Sequence, residues 1–269
     1  MMRINGQPAD SIDARDRGLA YGDGVFRTLR MANGRPLWWR DHVARLEADC
    51  AALALACPDA GLLLEEACAV ADGADCVAKL ILTRGSGVRG YAPGDTGAVT
   101  RIVMAVPLPP HAWADAPRAV RARLCTLRLG HQPRLAGVKH LNRLENVLAR
   151  AEWTDPAIFE GLLCDEAGML VGGTMSNLFW VREGVLCTPE LDRCGVAGVT
   201  RARALRAASR LGLRTRFERQ PPAAILAADE VMICNSLIGM RRVAMLDAAE
   251  LGEAGWRERL DKALYEDLD

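Results

Sequence analysis

Four prolines fall within eleven residues at 107–117, "PLPPHAWADAP". Such a stretch is stiff and extended, and neither a helix interior nor a central strand accepts it. It therefore divides the 269-residue chain. Each side is long enough to bury a core of its own. The expected organisation is a smaller N-terminal α+β domain at 1–106, a linker at 107–117 and a larger C-terminal α+β domain at 118–269.

Turn chemistry and periodicity fill in both sides. Asn5-Gly6 and Asn33-Gly34 predict tight hairpins, because both residue types tolerate positive φ. Val43, Leu46, Cys50 and Leu53 recur at helical spacing behind Asp41, the expected cap, and Pro58 ends that helix. A second helix is expected over 60–71, with strands at 76–83 and 100–106. Beyond the linker, "RAVRARLCTLRL" and "EVMICN" read as strands. "GLLCDEAGMLVGG" reads as two strands about a turn at Asp165–Gly168, and "NLFWVREGVLCTP" as a hairpin turning at Glu183-Gly184. "NRLENVLARAEW" and residues 199–212 and 253–267 read as helices.

Composition excludes several classes. Lys+Arg and Asp+Glu are both 34, so no charge excess favours nucleic acid or an anionic membrane. No run of 18 apolar residues is present, and the N-terminus lacks the apolar region of a signal peptide. The nine cysteines are odd in number, form no C-x-x-C and sit mostly among apolar neighbours. Free thiols in a reducing cytoplasm are expected, with neither disulfides nor a metal site.

One motif invites a cofactor reading. "RGSGVRGY", residues 84–91, holds a G-x-G-x-x-G directly after the apolar run "CVAKLILT". A dinucleotide fingerprint needs a helix after the third glycine and an acidic residue about 20 positions further on. Here a Gly/Pro loop and a strand follow, and positions 107–111 read "PLPPH". The stretch is instead a long hairpin loop, or a loop carrying Arg84, Arg89 and Tyr91 to an anionic ligand.

Only three of the basic residues are lysines: Lys79, Lys139 and Lys262. Lys139 stands in "LAGVKHLNRLENVLAR", among apolar residues and just before a helix. Burial disfavours the charged amine and so suits a Schiff-base nucleophile. By position alone, a solvated charge is the commoner reading.

The segments "GDGVFRTLR", "DHVARLEADC", "LTRGSGVRGY", "LAGVKHLNRLENVLAR", "SNLFWV", "LDRCGVAGVTR" and "EVMICNSL" occur in this order. Together they resemble the class IV (fold type IV) pyridoxal-phosphate family, which holds branched-chain and D-amino-acid aminotransferases and the aminodeoxychorismate lyases. "RGSG.RGY" and "KHLNRLENVL" resemble the lyases within it. The resemblance implies a two-domain α+β fold of the D-amino-acid-aminotransferase type, a homodimer, and pyridoxal phosphate (PLP) between the two domains. It implies that Lys139 bonds PLP covalently and that Arg45, Val199, Thr200, Asn235 and Ser236 serve its phosphate side. By itself, Arg45 reads equally as a solvated helix-face arginine. Val199 and Thr200 read equally as an ordinary helix start, and Ser236 as a strand end. Arg84, Arg89 and Tyr91 would face a dicarboxylate substrate. Arg27 is a further candidate there, although an outward-facing strand arginine explains it as well.

The implied reaction is release of pyruvate from 4-amino-4-deoxychorismate to leave 4-aminobenzoate, a step of folate synthesis. An aminotransferase and a non-catalytic ligand-binding relative are the alternatives. One position departs from the family pattern. A glutamate usually stands five residues before the asparagine of "SNLF", but here that position is Gly172.

Overall fold

The computed structural model describes residues 1–87, 89–93, 98–109 and 118–266. Val88 of the glycine motif and most of the expected linker lie outside these residues. The chain forms two compact units. Unit 1 contains residues 1–109 with Val138–Asn142, and unit 2 contains 118–137 and 143–266. The segment around Lys139, expected with the C-terminal half, thus belongs to unit 1.

Unit 1 runs β1 (Met2–Ile4), β2 (Gln7–Pro8), α1 (Arg17–Tyr21), β3 (Gly24–Ala32), β4 (Arg35–Pro36), α2 (Trp39–Ala52), α3 (Ala60–Ala71), β5 (Cys76–Thr83) and β6 (Thr100–Val106). Its strands form one antiparallel sheet in the order β2-β1-β6-β5-β3-β4. Asn5 and Gly6, like Asn33 and Gly34, take positive φ at their turns, as the dipeptides require. Asp59 caps α3 by accepting the Leu62 N–H at 3.0 Å. Helix α2 begins before Asp41. Buried Trp38 enters the helix at φ 56°, and Asp41 sits in the first turn, where its charge suits the helix dipole.

Strand β3 explains one correction. Alternate residues of a strand share a face. Val25, Leu29 and Met31 are buried in the core of unit 1, so Arg27, in the same register, also points inward. It is not an outward strand arginine.

Unit 2 runs β7 (Ala119–Leu129), α4 (Leu144–Arg150), β8 (Ile158–Asp165), β9 (Leu170–Gly173), β10 (Asn177–Arg182) and β11 (Val185–Pro189). It continues with α5 (Val199–Arg210), β12 (Arg214–Glu218), α6 (Ala223–Leu226), β13 (Glu230–Asn235), β14 (Gly239–Leu246), β15 (Ala249–Glu250) and α7 (Trp256–Leu264). The sheet order is β12-β11-β10-β13-β14-β7-β8-β9, with β15 beside β14. The pairs β11/β12, β14/β7 and β7/β8 are parallel and the rest are antiparallel. Leu162, Leu178, Trp180 and Ile233 lie in its main core. Apolar runs in β8, β10 and β13 fit strands buried on both faces.

Candidate active site

In unit 1 the Lys139 segment is laid against β3. Strand β4 pairs only with Met31 and Ala32, which leaves the other end of that edge open. There Phe26 donates its N–H to the Lys139 carbonyl at 3.0 Å, and Leu141 donates to the Gly24 carbonyl at 2.9 Å. The Lys139 amine lies 4.2 Å from the Phe26 ring centroid, within cation–π range.

Asp49, on the inward face of α2, organises this site, and the spacing of the helix gave no hint of it. It is fully buried at 0% exposure. One carboxylate oxygen pairs with the Arg27 guanidinium and also accepts the Lys139 N–H at 3.0 Å. The other lies 3.2 Å from Arg45 Nε, one helical turn away. Arg27 also donates to the Arg45 carbonyl at 2.9 Å. Burial pulls the Arg27 guanidinium down to about 10, against the opposing pull of Asp49. It stays charged at neutral pH, and its place is inside the fold. Arg45 keeps 31% of its side chain exposed.

The glycine motif sits in a hairpin loop. Strands β5 and β6 pair antiparallel on either side of it, and no helix stands between Gly90 and β6 among the described residues. Gly85 has φ +85°, and a Cβ there would lie 2.6 Å from the Ala98 carbonyl oxygen. The glycine therefore serves a close turn and not a pyrophosphate.

Arg84 is built into this loop's base. It donates to Asp23 at 2.8 Å, to the Ala54 carbonyl at 2.9 Å and to the Leu53 carbonyl at 2.7 Å. Arg17, which sequence reasoning missed, meets the same Asp23 oxygen at 2.9 Å and binds the carbonyls of Gly90 and Tyr91 at 2.8 and 3.1 Å. Burial opposes the charge of Asp23, but hydrogen bonds from Arg84 and Arg17 hold its carboxyl below the usual range. Arg89 is exposed, and Tyr91 is 85% exposed beside the Tyr21 ring. Of the three loop residues expected at a substrate, these two present themselves to solvent.

In unit 2, Val199 and Thr200 open the twelve-residue helix α5. Its N-cap is Gly198, which offers no side chain, and the first helical bond runs from Ala202 N–H to the Gly198 carbonyl at 3.1 Å. The amides of 199–201 precede that bond and face the helix start. Asn177 accepts the Gly198 N–H at 3.1 Å and donates to the Val196 carbonyl at 2.6 Å, fixing the approach to the helix. The Thr200 and Ser236 hydroxyls stand 3.3 Å apart. The Val199 and Thr200 amides, at a helix start with no side-chain cap, stand beside two hydroxyls and make a donor set that fits a phosphate. Asn235 has a supporting part. Its oxygen accepts the N–H groups of Leu237 and Ile238, and its amide donates to the Met175 carbonyl at 3.1 Å.

Gly172 lies in β9 opposite Leu163. A Cβ at 172 would be 2.9 Å from the Ser176 carbonyl oxygen, so this backbone has little room for the acid that the family pattern places there. Among the described residues, no group of three or more His, Cys, Asp or Glu could hold a metal ion.

A family profile described as amino-transferase class IV matches residues 24–246. An aminodeoxychorismate lyase of Vibrio harveyi is 35% identical over 251 residues, 93% of either chain. A D-alanine aminotransferase of Bacillus licheniformis is 27% identical, over 90% of this chain and 85% of its own. The solved 4-amino-4-deoxychorismate lyase of Pseudomonas aeruginosa superposes with a TM-score of 0.93 at 43% identity, covering 100% of both chains. The branched-chain amino acid aminotransferase of Escherichia coli superposes at 0.85 with 21% identity, over 99% of this chain and 93% of that one, a likeness of fold.

Proposed function

The chain belongs to the class IV aminotransferase family, and from that membership we propose that it is a PLP-dependent lyase. It cleaves 4-amino-4-deoxychorismate to 4-aminobenzoate and pyruvate. The observation that carries this reading is the match to such lyases over 93% of the chain in sequence and 100% in structure. The donor set at α5 and the Lys139 segment fit the cofactor's phosphate and aldehyde respectively.

When bound, PLP supplies an electron sink for the carbon that carries the substrate amine. Lys139 would hold it covalently, and the lysine amine would take the proton from that carbon of the substrate. The C–O bond to the enolpyruvyl group then breaks. The ring becomes aromatic, and the departing group gains a proton to become pyruvate. Val199, Thr200 and Ser236, with Arg45, orient the phosphate. Arg89 and Tyr91 meet the substrate carboxylates, a task suited to a guanidinium and a phenol. Arg84 supports their loop from within the fold, and Arg27 supports the seat of Lys139 through Asp49.

The aminotransferase reading is weaker, because Gly172 offers no carboxylate to keep a pyridine nitrogen protonated.

A homodimer is part of the proposal. Leu144, Val147 and Leu148 of α4 are 75%, 59% and 60% exposed on one side of the helix, an apolar stripe that a second copy would cover. No helix among the described residues is long and apolar enough to cross a membrane. All nine cysteines are free, which suits the reducing cytoplasm that we assign.

Purified protein mixed with PLP tests the reading. The visible band of protein-bound PLP and a borohydride-fixed pyridoxyl group on Lys139 are expected. Pyruvate and 4-aminobenzoate should then appear in equal amounts on adding 4-amino-4-deoxychorismate. Absence of the band and of the Lys139 adduct overturns the cofactor assignment, and an amino-group exchange without pyruvate overturns the lyase.

A further inference from the structure

The proposed chemistry makes no use of Glu160 in β8, although it is fully buried at 0% exposure. Its Oε1 accepts the Gly161 N–H at 2.9 Å, the Thr174 N–H at 3.0 Å and the Thr174 hydroxyl at 2.6 Å. Its Oε2 accepts the Ser176 hydroxyl at 2.7 Å and the Met175 N–H at 3.2 Å. All but one of these donors belong to 174–176. A buried acid that faces donors on both oxygens is a strong clamp on the segment that supplies them. Burial raises its carboxyl, while hydrogen bonds from Thr174 and Ser176 act in the opposite direction. Gly173 makes the arrangement possible. A Cβ there would lie 2.6 Å from Glu160 Oε2.

The clamped segment reaches both sides of the phosphate cradle. Asn177 follows it directly and holds Gly198 and Val196 at the start of α5. The Met175 carbonyl accepts Asn235, whose oxygen in turn shapes the turn that carries Ser236. Ser236 and Thr200 then stand hydroxyl to hydroxyl at 3.3 Å.

We propose that Glu160 is the positioning residue of the phosphate cradle: by fixing 174–176 it aligns the α5 amides and the Ser236 hydroxyl on one phosphate. The inference rests on the PLP reading above. Glu160 need not touch the cofactor, since its effect passes through Asn177 and Asn235.

The test compares PLP with pyridoxal, which carries the same aldehyde and lacks the phosphate. Full-length wild type, Glu160→Gln and Glu230→Gln are titrated with both. Glu230 is equally deep at 1% exposure, but it accepts the N–H groups of Ala254, Trp256 and Arg257 at the start of α7. Glu160→Gln should weaken PLP by roughly tenfold or more, the scale of lost outer-shell support, with pyridoxal changed less than about twofold. Glu230→Gln should lower Tm and leave the ratio alone. Should Glu160→Gln fail to fold, Thr174→Val removes one donor and should shift the ratio in the same direction. An unchanged PLP-to-pyridoxal ratio in the folded variant, or an equal shift in Glu230→Gln, overturns the inference while wild-type PLP binding stands. Wild type that takes up no PLP overturns the cofactor reading and this inference with it.

Discussion

The main-chain N–H of Lys139 donates to Asp49 Oδ2 at 3.0 Å. The lysine is therefore fixed by its backbone, and its amine lies over the Phe26 ring. The same oxygen neutralises buried Arg27. Removing the acid strands a buried cation, which costs about 3–5 kcal/mol in comparable pairs. Asp49→Ala is expected to lose stability on that scale in urea unfolding, and the double variant Asp49→Leu, Arg27→Met to regain much of it. A single variant as stable as wild type would show that Asp49 does not hold this site together.

Lys139→Ala should separate folding from catalysis. The backbone bond to Asp49 survives the change, so the thermal midpoint should stay close to wild type. Lysis should fall by about 10²–10⁴-fold or more, the scale of a lost proton-transfer group. The assay is pyruvate release at saturating substrate and PLP.

The two positive-φ glycines of the loop at 84–91 should differ in cost. Gly85→Ala meets both a left-handed backbone and a carbonyl oxygen 2.6 Å from the new Cβ, whereas Gly90, at φ +112°, has nothing within 4 Å among the described residues. Gly90→Ala is expected to cost about 1 kcal/mol from backbone strain, and Gly85→Ala clearly more. Gly85→Ala should also raise KM, because the turn carries Arg89 and Tyr91. Chemical unfolding and initial-rate kinetics read the two effects.

Asp23 supplies a pH signature. Its folded carboxyl lies below its ordinary value through Arg84 and Arg17, despite burial. A depressed acid contributes stability above its unfolded pKa, near 3.9, and loses it as pH falls through the folded value. Urea midpoints of wild type should therefore drop on acidification below about pH 4. Asp23→Asn should be less stable at pH 7 and show a shallower acid limb. Parallel limbs would remove Asp23 from the account.

The apolar stripe on α4 predicts the assembly. Leu148→Asp should convert dimer to monomer in light scattering after gel filtration. A monomeric wild type at micromolar concentration would refute the homodimer.

Much of the fold was legible because local chemistry and tertiary structure agree. The Asn-Gly pairs turn where expected, α3 spans 60–71, and β5, β6 and β13 occupy the apolar runs assigned to them. The miss at α2 arose because buried Trp38, not a polar cap, sets the helix start. Short α1 carries no apolar period, and its role depends on Arg17 meeting a loop more than 70 residues away. The supporting acids were invisible for the same reason. Asp49 and Glu160 look like solvated charges until distant strands and loops surround them. Arg27 was readable in principle, since Val25, Leu29 and Met31 share its strand parity.

The membership of Val138–Asn142 in unit 1 limits how this chain can be recombined. A fragment starting at 118 would carry Lys139 without Gly24, Phe26 and Asp49, the residues that seat it. A fragment ending at 109 would keep the seat and lose the lysine. Neither half is a transferable module. Swapping halves between homologues would replace the lysine and its seat from different parents, so a working chimera must exchange 138–142 together with the N-terminal piece.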